Sequence, residues 1–133
     1  MGQLTSDRYV ETMKKFGVNL PTEVNVLGQK YRIVYSSEEY DPDLKDLSGL
    51  CDLGLKTIKI EQDIYLDCRE NIKRFVATVF PIIRHEIVHA FFAECGLDSE
   101  SPYARNEELI DWIALKIPQM SKAMKEIGVM EEC

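Results

Sequence analysis

Arg84-His85-Glu86-Ile87-Val88-His89-Ala90 is the stretch around which the rest of the chain has to be read. Its two histidines are the only ones in the sequence. Residues four apart lie on one face of a helix, so both imidazoles can reach a single divalent cation. Glu86 points partly off that face, where it can meet a water that the cation activates. The H-E-x-x-H spacing reads as two zinc ligands plus a general base.

Outward from the motif, Phe75 to Ala93 is largely apolar but is broken by Arg84, His85, Glu86 and His89. It reads as a buried helix, not as a span of the ~20 apolar residues a bilayer requires. Asp67 or Asn71 can cap its start and Cys95-Gly96 ends it. Pro81 predicts a kink, or two closely consecutive helices that meet near Phe80. Before it, Thr5 or Ser6 caps a helix through Tyr9, Val10, Met13 and Phe16. Glu23–Leu27 and Lys30–Tyr35 flank Gly28-Gln29 as a hairpin. The stretch 36–48, with Asp41-Pro42-Asp43, reads as a mobile, solvated loop. Gly49 to Glu61 reads as a strand or strand pair that turns near Gly54, with Ile58 and Ile60 inward. After the motif come a polar connection, 97–102, and a helix from Tyr103 to Ile117. Its apolar face holds Leu109, Trp112, Ile113, Leu115 and Ile117, with Trp112 assigned to the core. Pro118 interrupts it, and Met120–Ile127 continues as a tail. The whole predicts one α+β domain over 1–133, a small twisted, mostly antiparallel sheet packed on an active-site helix and a following ligand helix.

The bulk properties narrow the function. The 133 residues carry a net charge of −7, which repels phosphate backbones and makes nucleic acid a poor partner. Met1 to Ser6 is polar and carries no apolar signal core, so the expectation is a cytoplasmic protein that does not engage a membrane. The four cysteines show no C-x-x-C pair and read as reduced packing residues.

A catalytic zinc takes three protein ligands and leaves a position for water. With no third histidine, the third ligand must be a carboxylate, and Asn106-Glu107-Glu108-Leu109-Ile110-Asp111 offers one. Glu107 and Asp111 share a helical face, so Asp111 could accept the free ring N–H of a ligating histidine. Glu108 points about 100° away, which favours Glu107 and leaves Glu108 as the alternative. Tyr65, Tyr103 and Arg105 are candidates to stabilise an oxyanion.

These residues resemble the zincin metallopeptidases, in particular the gluzincin arrangement, whose third ligand is a glutamate on the following helix. Asn106-Glu107-Glu108-Leu109-Ile110-Asp111 has the Asn-Glu-x-x-x-Asp form of thermolysin-like enzymes. The resemblance implies that Glu107 is the ligand and Asp111 the partner of a zinc histidine. In size the chain is more similar to minimal single-domain zincins of phages and prophages, which place a strand with paired isoleucines, an HE-I-x-HAF helix and an acidic helix bearing a Trp in this order. That likeness implies the cytoplasm of a bacterial host. A more distant likeness, through Ile117-Pro118, is to the ImmA/IrrE group of regulatory proteases, whose Ala-Asn-x-Phe-Ala stretch is absent here. The implied activity is zinc-dependent hydrolysis of a peptide or protein substrate, with Leu55–Glu61 as the edge strand that receives it. The competing expectations are a non-enzymatic zincin fold with a structural zinc, acting in phage assembly or regulation, and hydrolysis of a non-peptide bond.

Overall fold

The computed structural model describes residues 5–63 and 71–131. Helix α1 (Ser6–Lys15) comes first, capped by Thr5. Two hairpins follow, β1 (Glu23–Val26) with β2 (Gln29–Ser36), and β3 (Gly49–Asp52) with β4 (Thr57–Glu61). Then come the long helix α2 (Ile72–Glu94), a single turn α3 (Leu97–Glu100) and helix α4 (Glu107–Glu126). The strands form one mixed sheet in the order β1-β2-β4-β3. Both hairpins are antiparallel, while β2 and β4 run parallel in the middle, Ile33 opposite Ile58. The architecture is α+β, as the sequence implied.

Strand alternation decides what the sheet buries. Tyr31, Ile33 and Tyr35 of β2 and Ile58 and Ile60 of β4 meet Tyr9 and Met13 of α1 and Phe75, Val79, Ile83 and Ala90 of α2 in one apolar cluster. Tyr9 and Tyr35 stack with ring centroids 5.4 Å apart, and the Tyr35 hydroxyl donates to the Pro21 carbonyl at 2.7 Å. The first hairpin turns on Leu27 and Gly28, both in the left-handed region, one residue earlier than expected. The turn near Gly54 is a hairpin loop that ends the face of β3 and starts that of β4.

Several expectations need correction. The strand beside the motif helix that ends the sheet is β3; β4, expected to receive substrate, is enclosed between β2 and β3. Sheet order is set by the long-range pairing of β2 with β4, which local patterning does not encode. The acidic loop is fastened, not free. Asp41 caps a 3-10 turn at Pro42–Leu44, Leu44 is buried, and Lys59 Nζ holds Asp41 at 2.8 Å and Asp43 at 3.3 Å. Asn71 caps α2, and Asp67 lies outside the described residues. Of the two readings of Pro81 the one-helix alternative holds, since α2 continues through it, whereas the expected interruption at Pro118 does not occur and α4 runs on through it. By length and composition α2 is apolar enough to cross a membrane, but here its stripe Phe75, Val79, Ile83, Glu86 and Ala90 faces the sheet. A 3-10 turn at Pro102–Arg105 precedes α4, whose start is capped by Asn106. The buried face of α4 is Ile110 and Ala114, whereas Leu109, Leu115 and Ile117 are exposed and Trp112 is 53% exposed. Trp112 is therefore not core. The helix is turned so that Glu107, Ile110, Asp111 and Ala114 look toward α2, which carries Leu109 and Trp112 round to the outside.

Candidate metal centre

The site lies where α2, β3 and α4 meet. The spacing of α2 explains its layout. Positions 75, 79, 83, 86 and 90 form the stripe toward the sheet, so Glu86 occupies a position that the helix otherwise fills with apolar residues. His85 and His89 sit one step round the helix, half-buried, on the side facing α4. Their ring centroids are 5.0 Å apart. Donor atoms of His85, Glu86 and His89 all lie within 4.8 Å of one another, a group that could hold a metal ion.

Glu107, in the first turn of α4, spans both imidazoles. Its Oε2 is 2.9 Å from His85 Nε2 and its Oε1 is 3.1 Å from His89 Nε2. Asp111 Oδ1, one turn on, is 3.3 Å from His85 Nδ1. A neutral imidazole carries one N–H. If that N–H is donated to Asp111, the His85 Nε2 lone pair faces the Glu107 carboxylate, and the arrangement calls for a cation shared between them. Two imidazole nitrogens with the Glu86 carboxylate beside them, and Glu107 in contact with both rings, are a donor set that fits a divalent metal. All five predicted site residues thus line one cleft, while Glu108 stays outside it.

Electrostatics set the two functional types apart. Glu86 is only 6% exposed, and burial pushes its carboxyl up to about 7, with the His85 charge pulling down and Glu107 pushing up. Burial lowers the pKa of His89 against the pull of Glu107, which favours the neutral, ligand-ready ring. Burial also pushes the Cys51 thiol up to about 12, so it stays protonated.

These groups line a cleft of about 590 Å³, walled by Leu47, Gly49, Leu53, Pro81 and Ile82. Among the described residues β3 pairs only with β4, so its outer edge borders this cleft unpaired. The sequence reading missed Gly49. A Cβ there would stand 2.9 Å from Ile82 Cγ2 and 3.1 Å from Glu86 Oε2, so the bare backbone is what lets the strand close over the carboxyl. A glycine opening a strand was the signal. Tyr103 is 74% exposed and Arg105 donates to the Asp98 carbonyl; neither lines the cleft, and Tyr65 lies outside the described residues. No family model, curated protein or solved structure matches the chain.

Proposed function

We propose that the chain is a zinc-dependent peptidase. The observation that carries this reading is Glu86, a buried carboxyl titrating near neutrality, set between paired imidazoles and an open cleft. His85, His89 and Glu107 would hold the ion, and Asp111 would fix the His85 ring through Nδ1. Zinc, when bound, acidifies a water and polarises a carbonyl. Glu86 would take the proton from the attacking water and pass it to the leaving amine, as the buried general base beside the ion. An extended peptide would add to the outer edge of β3, unpaired among the described residues, main chain to main chain, with its scissile bond over Glu86. The unpaired edge along the cleft supports a peptide over a compact substrate.

The test is a library of quenched fluorogenic peptides incubated with the zinc-loaded chain and with Glu86→Gln. Cleavage that falls by about 10²-fold or more in a variant still binding one zinc is the expected result. Equal cleavage by both proteins, or none by the wild type, overturns the reading. A second reading has one observation in its favour: the Glu86 carboxylate also lies within 4.8 Å of both histidine donors. If it ligates, the site closes with four protein ligands and becomes structural, as in a non-enzymatic binding module. Glu86→Gln would then weaken zinc binding itself.

A further inference from the structure

We infer that Arg84 is a positioning residue, clamping α4 to α2 through a backbone acceptor that Pro118 leaves open, so that Glu107 and Asp111 stand in register with His85 and His89. The inference rests on the metal-centre reading and adds a residue to it.

In an α-helix the carbonyl of residue 114 accepts from the N–H of residue 118. Here residue 118 is proline, inside α4, and has no N–H to give. Ala114 is fully buried, so its carbonyl has no easy recourse to water. Arg84 supplies the missing donor: its Nε lies 2.7 Å from the Ala114 oxygen. Arg84 immediately precedes His85, and Ala114 lies about one turn beyond Asp111 on the face that looks at α2. The two helices are thus joined at successive levels, Glu107 to both imidazoles, Asp111 to His85, and the Ala114 carbonyl to Arg84. The first two joints are made by groups whose place is by the ion. The third is made by groups that do not approach the ion, so it fixes the spacing of the helices whether or not an ion is bound. The guanidinium suits this task because its N–H groups are rigidly directed. A proline that breaks one helical bond thereby creates an anchor point for a neighbouring helix.

The clamp makes a prediction that simple packing does not, because the same carbonyl can be satisfied from within its own helix. Arg84→Met removes the donor; Pro118→Ala restores the helical N–H. Zinc affinity is read by competition with a chromophoric chelator, and thermal unfolding of the metal-free proteins is followed in parallel. We expect Arg84→Met to lose about 10-fold in zinc affinity, the scale seen when an outer partner of a ligand is removed. Pro118→Ala alone should stay within about 3-fold of wild type, and the double variant should recover thermal stability but not zinc affinity, because the restored helical bond satisfies the Ala114 carbonyl without joining the two helices. If Arg84→Met does not fold, Arg84→Lys and the double variant are measured; Lys, a flexible donor, should bind zinc less tightly than wild type. Unchanged zinc affinity in a merely less stable Arg84 variant, or recovery of zinc affinity in the double variant, overturns the clamp. Failure of the wild type to bind zinc would instead overturn the metal-centre reading, so the two failures are distinguishable.

Discussion

Glu86 sits on the stripe of α2 where Val79 and Ile83 precede it and Ala90 follows, all of them buried. The cost of ionising it there has a measurable sign. With its native pKa raised from 4.5 to about 7, the metal-free native state holds a proton that the unfolded chain releases between those values. Stability from this group is complete below pH ~4.5 and is lost as pH rises through about 7, by roughly 3 kcal/mol in all. Urea unfolding of the metal-free chain across pH 4.5 to 8 should show this fall, and Glu86→Gln should flatten it. An identical slope in the variant would mean that another group carries the effect. Gly49 faces the same carboxyl. Gly49→Ala places a methyl within 3.1 Å of Glu86 Oε2 and should destabilise the chain by about 1–3 kcal/mol, as overpacking does. It should also depress turnover more than zinc affinity, since Glu86 moves and the histidines need not. A variant as stable and active as wild type would show that the strand yields freely.

At the scale of elements, the site is a joint between two helices and a hairpin. Asp111→Ala should lower zinc affinity about 10- to 100-fold while leaving the metal-free melting temperature nearly unchanged, because Asp111 is exposed and acts by orienting His85. An affinity equal to wild type in the chelator competition would remove Asp111 from the site. The hairpin that carries Gly49 is tied to the last turn of α2 by Lys56, whose Nζ meets Glu94 at 2.9 Å and lies 5.4 Å above the Tyr31 ring. The Tyr31 hydroxyl donates to the same carboxylate at 3.3 Å. Lys56→Met leaves the largely buried Glu94 without its cation and should cost about 1 kcal/mol in urea midpoint at constant slope; no change would class the pair with ordinary surface bridges. The elements themselves could largely be read from the sequence. Alternation marked Ile58 and Ile60 as inward, and i, i+4 spacing placed His85 with His89 and Glu107 with Asp111. Three things could not be read so. Which strand forms the sheet edge depends on the β2–β4 pairing across a 20-residue gap, Ser36 to Thr57. Which face of α4 is buried depends on its rotation against α2, so the apolar Trp112 side was wrongly turned inward. The pairing of Arg84 with the Ala114 carbonyl needs both helices in place before it has any meaning.

For the molecule as a whole, the core and the candidate centre draw on α2 in different ways. Its sheet-facing stripe is locked into the single apolar cluster, whereas α4 beyond Ala114 has almost no buried side chain. A catalytic ion that is removed by chelation should therefore leave the fold standing, with far-ultraviolet circular dichroism retained at 25 °C; collapse to a disordered spectrum would speak for the structural-site reading. This unequal anchoring has a consequence in the time domain. Backbone amides exchange with deuterium at rates set by local opening, and segments with little buried surface open first. The amides of α2 should exchange only when the whole chain unfolds, those of α4 through a cheaper, separate detachment. Because Glu107 is the one proposed ligand on α4, an ion that holds it also suppresses that detachment, by the logic of linkage. Added zinc should slow exchange along the first half of α4 far more than in the Ile72–Phe80 part of α2. The helix that supplies the last ligand would then serve as a clock, its exchange rate reporting how long the ion stays.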